Sequence, residues 1–324
     1  MALFDLSLAE LRTYRRTPSV PADFAEFWQS TLAEARTAAW KPDVTRHASP
    51  LRRLDVYDVT FSGFGGHPIK AWLNVPAGAA GPLPIVVEFI GYGGGRGLPH
   101  DWLLWPSAGY AHLVMDTRGQ GASYRGGDTP DPGPDGSGPS VPGFLTRGVL
   151  DPAGYYYRRL ITDAVRAVET AAGLPGVDAG RLAVAGGSQG GGLALAAGSL
   201  AADRVSAVVA GVPFLCDVRR AITITDAYPY QELVHFCRTH PDRAQAVLAT
   251  VDYIDVVNLV PRASAPALFS AALMDDVCPP STVFAAFNAY GGPKDIAVFE
   301  WDGHDGGGAH FQQRAMEFLE GVLG

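Results

Sequence analysis

Ser188, Asp275 and His304 are the side chains whose types and placement could together carry out acyl transfer. Ser188 stands in the middle of Val184-Ala185-Gly186-Gly187-Ser188-Gln189-Gly190-Gly191-Gly192, between the apolar run 182–185 and an alanine-rich stretch. That pattern reads as a buried strand turning sharply into a helix, the setting that holds a serine hydroxyl exposed at the carboxyl end of a sheet. Glycines at 186 and 190 let the turn close without Cβ clashes. The pentapeptide alone fits a tightly packed glycine turn equally well, so the chemistry depends on an acid and a histidine elsewhere.

Both occur in comparable places. Asp275 follows the predicted strand 267–273, and His304 follows the predicted strand 296–301. The order serine, acid, histidine, each directly after a strand, is that of an α/β-hydrolase. A serine hydroxyl is a weak nucleophile until a histidine takes its proton, and an aspartate holds that imidazole in the right tautomer. The oxyanion needs two preorganised donors, expected to be the backbone N–H groups of Gln189 and of Tyr92 in the glycine-rich loop 91–97. By position alone Asp276 remains an alternative acid and Asp302 a weaker one, while His310, at the start of the last helix, is the rival histidine.

The elements that must position these groups alternate. Residues 1–50 read as an extension ahead of the sheet, with Pro21 at a first helical turn and Phe24, Phe27, Trp28, Leu32 and Ala35 marking one apolar helix face. Residues 54–75 read as a hairpin around a glycine-rich turn, 85–90 and 111–115 as buried strands. Residues 122–154 read as a loop long enough to line a site or an interface. A helix over 155–172, a strand over 205–212, a mainly helical excursion over 213–262, and helices over 281–290 and 311–323 complete the chain. Strands alternating with helices predict one α/β domain over 1–324, with a mostly parallel central sheet flanked by helices, an N-terminal helical extension and long loop insertions.

Composition narrows the function. Hydrophobic residues at 47% and charged residues at 18% fit a globular chain, and a net charge of −8 offers no basic footprint for nucleic acid. Asp5 and Glu10 interrupt the start before any long apolar run, so no signal peptide is expected, and no uncharged stretch approaches membrane-spanning length. Cys216, Cys237 and Cys278 are odd in number and scattered, which suits reduced thiols in a cytoplasm. His235, Cys237 and His240 lack a fourth ligand, and Asp128, Asp131 and Asp135 lack calcium-loop spacing, so no metal is expected. The glycines of 91–97 lack the Gly-Lys-Ser/Thr ending of a phosphate cradle and are wrongly spaced for a dinucleotide fold, and no organic cofactor is expected.

With these residues in view, the chain resembles the acetyl xylan esterase and cephalosporin C deacetylase family, carbohydrate esterase family seven. The likeness runs through Phe4-Asp5-Leu6, Asp58-Val59-Thr60-Phe61-Ser62-Gly63, Gly91-Tyr92 with Gly94-Gly95-Arg96-Gly97, and Pro99-His100-Asp101-Trp102. It continues through Asp116-Thr117-Arg118-Gly119-Gln120-Gly121, Tyr155-Tyr156-Tyr157-Arg158-Arg159, Gly187-Ser188-Gln189-Gly190-Gly191, Leu273-Met274-Asp275 and Cys278-Pro279-Pro280-Ser281-Thr282. The resemblance implies Ser188, Asp275 and His304 as triad, Tyr92 and Gln189 as oxyanion donors, and Asp275 over Asp276 because the acid follows the Leu-Met pair. It also implies a homohexamer built as a dimer of trimers. One departure is Asp305, where the family usually has Glu after the histidine.

The expected reaction is removal of acetyl groups from sugars, xylo-oligosaccharides or cephalosporin-type esters. Tyr92, Trp105, Phe214, Pro229 and Val277 are the candidates for a tight apolar acyl pocket, and Arg118 and Gln120 are expected to brace the elbow by hydrogen bonds rather than to react. A serine peptidase of the same fold and a catalytically silent binding protein are the alternatives.

Overall fold

The structure is a computed structural model that describes residues 3–132 and 138–324. In chain order the helices are α1 (Leu8–Thr13), α2 (Phe24–Thr37), α3 (Leu104–Ser107), α4 (Tyr156–Ala171), α5 (Gln189–Leu200), α6 (Val218–Ile224), α7 (Tyr230–Thr239), α8 (Ala244–Val251), α9 (Val256–Leu259), α10 (Pro280–Ala289) and α11 (Gly308–Leu323). The strands are β1 (Asp43–Arg46), β2 (Leu54–Ser62), β3 (Pro68–Pro76), β4 (Leu83–Phe89), β5 (Ala111–Met115), β6 (Val177–Gly187), β7 (Ala207–Gly211), β8 (Ala267–Ala272) and β9 (Lys294–Phe299). They form one nine-stranded sheet in the order β1-β2-β3-β5-β4-β6-β7-β8-β9. The first three strands and the β3–β5 pair are antiparallel, and every pair from β5 through β9 is parallel.

The central parallel strands β4, β5, β7 and β8 are short, apolar and largely buried on both faces, as helix-flanked strands must be. Ile85, Val87 and Phe89 of β4 join the main core under α4 and α5, whereas Val86 joins a smaller core with Trp105 and the α11 residues Ala315 and Leu319. Order reverses at β4, with β5 on one side and β6 on the other, so a crevice opens at their carboxyl ends.

Several boundaries differ from the sequence expectation. The region 1–50 is not only an extension, since Asp43–Arg46 pairs with β2 as the sheet's edge strand. Pro21 precedes α2, its carbonyl accepting the Phe24 N–H at 3.1 Å. The apolar face of α2 packs inside the chain: Phe24, Trp28 and Leu32 enter the main core, and Trp28 Nε1 donates to the Tyr253 carbonyl at 2.9 Å. The loop 122–154 has no helix or strand among its described residues, and Asp135 lies outside them. All three cysteines are free, Cys216 and Cys278 being buried. Among the described residues no group of side chains could hold a metal ion, and no helix is long and apolar enough to cross a membrane.

Candidate active site

Ser188 sits between β6 and α5 with φ 55° and ψ −121°, a conformation that L-residues rarely adopt. The turn is closed by contacts only glycine permits. A Cβ on Gly190 would stand 2.1 Å from the Phe89 carbonyl oxygen, and one on Gly186 2.3 Å from the carbonyl carbon of Gly190. Backbone bonds hold the distortion: Ser188 N–H donates to Gly211 O at 2.9 Å, and Ser188 O accepts from Phe214 N at 2.9 Å and Gly192 N at 3.0 Å.

His304 lies in the loop after β9, its Nε2 3.0 Å from Ser188 Oγ and its Nδ1 2.9 Å from Asp275 Oδ2. Asp275 is fully buried. Its other oxygen accepts the N–H groups of Val277 and Cys278, each at 2.9 Å, so both carboxylate oxygens are engaged by protein donors. A carboxylate facing Nδ1 calls for a proton there, leaving the Nε2 lone pair free for the serine hydroxyl. The acid and histidine loops are tied together, since Met274 N–H donates to Asp302 O at 3.1 Å while Asp302 Oδ2 accepts from Gly307 N at 2.8 Å. Of the acids considered, Asp275 is the one within hydrogen-bond distance of His304. Asp276 instead offers its backbone carbonyl to Thr225, Asp302 braces the loop, and His310 is exposed on α11.

Tyr92 follows β4 and Gln189 opens α5, and neither backbone N–H meets a protein acceptor among the described residues. Both residues are fastened through their side chains. Tyr92 Oη donates to Glu232 Oε1 at 2.5 Å and accepts from Phe144 N at 2.9 Å, while Glu232 Oε2 accepts from Leu145 N at 2.9 Å. Burial pushes the Glu232 carboxyl above its ordinary range against these bonds, and burial with the nearby Glu232 pushes the Tyr92 phenol up. Gln120 Nε2 donates to Gln189 Oε1 at 2.9 Å and to the Tyr156 hydroxyl at 3.0 Å, and Gln120 Oε1 accepts from Gly93 N at 2.6 Å. Gln120 thereby bridges the two loops that carry the free N–H groups.

Arg118 stands further back. It is fully buried, donating to Asp163 at 2.5 and 2.7 Å and to Asp131 at 3.2 Å, with no contact to the three candidate reacting side chains. Its carbonyl accepts from the Tyr156 hydroxyl at 2.6 Å, so it anchors the same loop from which Gln120 projects.

A cavity of about 680 Å³ opens over Ser188 and His304, and Tyr92, Trp105, Pro229 and Val277 line it. Phe214 does not. It is fully buried beneath, packed on Tyr92 and on Tyr230 at ring-centroid distances of 6.2 and 4.6 Å, because the chain after β7 turns it into the core. The cavity as a whole is larger than an acetyl group needs. It runs down the sheet between α3 and α11 past Leu104, Phe311 and Ala315 to Glu88, a wall residue the sequence reading passed over. The signal for Glu88 was present, as the one acid inside the apolar run 85–90. Asp305 lies on the exposed rim of the same cavity.

A mostly parallel sheet with its strand order reversing at β4, and a serine on a strained turn between strand and helix, is the α/β-hydrolase fold. Within that fold the chain belongs to the acetyl xylan esterase (AXE1) family, whose model matches residues 1–322. It is similar to the solved acetyl xylan esterase from Paenibacillus sp. R4, with 37% identity, TM-score 0.89, and 98% of this chain and 100% of that one covered. Acetyl xylan esterase 1 from a Thermoanaerobacterium species is similar at 34% identity and TM-score 0.88, covering 99% of this chain and 100% of that one. The acetyl esterase Axe7A of Xylanibacter ruminicola is 28% identical over 299 residues, 89% of this chain. The chain spans 64% of that relative's length.

Proposed function

We infer that the protein is a serine esterase that removes acetyl groups from acetylated sugars and xylo-oligosaccharides through an acetyl-enzyme intermediate. The reading rests on one observation above all, the bridge of His304 between Ser188 Oγ at 3.0 Å and buried Asp275 at 2.9 Å. His304 Nε2 takes the hydroxyl proton as Ser188 Oγ bonds to the acetyl carbonyl carbon, and the Tyr92 and Gln189 N–H groups meet the oxyanion. The C–O bond to the sugar then breaks, and His304 returns the proton to the leaving alkoxide. Water enters, loses its proton to His304 and attacks the acetyl-serine, and Ser188 recovers a proton as acetate leaves. Asp275 keeps the imidazole oriented and stabilises the imidazolium that forms in each half.

Family membership and the names of the relatives support acetyl transfer to water over peptide cleavage or silent binding. Cephalosporin-type acetyl esters are proposed as further substrates, on the resemblance alone. A single domain over 1–324, a homohexamer arranged as a dimer of trimers and a cytoplasmic setting belong to the same proposal, the last supported by the free cysteines. Acetate release measured across acetylated xylo-oligosaccharides, acetyl glucose and cephalosporin C tests the reading. Release from the sugars is expected, and cleavage of a peptide panel with no acetate from any of these esters would overturn it.

A further inference from the structure

The cavity holds a second polar feature that the acetyl transfer does not use. Glu88 lies on the sheet face covered by α3 and α11, in a cavity lined by the apolar Leu104, Trp105, Ala185, Val209 and Phe311 and by the polar Gln312 and Ser270. Its side chain keeps 24% of its exposure although the neighbouring strand residues are buried. One carboxylate oxygen, Oε2, is occupied, accepting from Trp105 Nε1 at 3.0 Å. His112 Nε2 also stands 2.9 Å from Oε2, out of line for a hydrogen bond, and its Nδ1 is buried without a partner. No protein donor among the described residues meets Oε1.

Distance decides which part of an ester could reach it. Glu88 is paired in register with Ala185, and Ser188 comes three residues after Ala185. At about 3.3 Å per strand residue, the Glu88 backbone is set back roughly 10 Å along the sheet from that of the nucleophile. A two-carbon acyl group cannot span that. A longer alkyl acyl chain could, but its end would strip water from a carboxylate and return no hydrogen bond. A polyhydroxylated alcohol portion meets both demands, apolar ring faces along the walls and hydroxyl donors at the end.

We propose that Glu88 is a specificity-determining residue that accepts hydrogen bonds, through Oε1, from hydroxyl groups of the sugar portion lying in this arm of the cavity, and that it disfavours esters with long alkyl chains there. The proposal deepens the acetylesterase reading and rests on it. Trp105 holds the carboxylate in place from behind.

The test uses Glu88→Leu and Glu88→Gln with three measurements: kcat/KM for acetylated xylobiose, kcat/KM for p-nitrophenyl and hexyl acetate, and inhibition of p-nitrophenyl acetate hydrolysis by unacetylated xylobiose. Removing one partner of a hydrogen bond to a charged group predicts that Glu88→Leu weakens xylobiose inhibition on the order of tenfold. The same variant should lower the acetyl-xylobiose to p-nitrophenyl acetate ratio by a similar factor and raise the hexyl acetate to p-nitrophenyl acetate ratio. Glu88→Gln, which keeps an acceptor and the side-chain shape, should move each quantity the same way by less. If Leu at this site unfolds the protein, the Gln variant decides alone. Unchanged ratios with unchanged xylobiose inhibition, or no inhibition of the parent enzyme by xylobiose, would overturn the role of Glu88 and leave the esterase standing. A parent protein that hydrolyses no acetyl ester takes down both.

Discussion

The two faces of the central sheet are built to opposite specifications. On the face under α4 and α5, side chains such as Val87, Leu113, Val184 and Phe269 merge with those helices and with the N-terminal α2 into one closed core. On the other face Val86, Ala183, Ala185 and Val209 meet α3 and α11 in a smaller cluster, and the 680 Å³ cavity opens beside it. Small residues on the strands make the difference: Ala183, Ala185 and Ala207 face this side of β6 and β7, where Leu182, Val184 and Val208 face the closed core. One sheet thus separates stability from access, with Ser188 at the edge where the faces meet.

Substitutions on the two sides should sort accordingly. Ser188→Ala is expected to cut kcat for acetyl esters by on the order of 10⁴-fold or more, since a triad acts as a unit, while the thermal unfolding midpoint stays put. Comparable losses of activity and stability would break the separation. On the closed face, Phe269→Ala should lower the unfolding free energy by about 3–5 kcal/mol in a denaturant titration, because the ring is fully buried and packed edge-to-face against Phe287 and Tyr290. Phe311→Ala, on the cavity wall, should lose about 1–2 kcal/mol by the same titration and change KM instead, as a half-exposed ring has less contact to lose. Equal destabilisation by the two Phe substitutions would show the faces to be alike. Glu232→Gln should be mildest: its amide oxygen still accepts from one of the two donors, Tyr92 Oη and Leu145 N–H, so kcat falls a few-fold, whereas Glu232→Ala removes both acceptors, frees the Tyr92 loop and lowers kcat by roughly tenfold with KM little changed.

The same division governs what the sequence made legible. The closed face announces itself in apolar runs such as 85–90 and 182–185, and the three candidate reacting groups could be placed because each ends such a run. The edge strand Asp43–Arg46 was invisible, being four residues with Val44 as its sole apolar side chain and little burial to shape it. Phe214 was misassigned because an aromatic near a site can face either the cavity or the core, and only the path of the chain after β7 decides. Glu88 was hidden by its neighbours: within a short buried strand, one acid has no pattern that says which face it takes. Glu232 and Tyr92 are 140 residues apart, so their bond is a product of tertiary packing alone.

The backbone angle at Ser188 has a consequence beyond chemistry. A serine held at φ 55° carries strain of roughly 1–3 kcal/mol that glycine would not. Ser188→Gly should therefore yield a protein with a higher melting temperature than the active one and no esterase activity. A lineage selected for robustness alone would drift toward that glycine, so the persistence of the hydroxyl in a working population would have to be maintained by demand for its reaction.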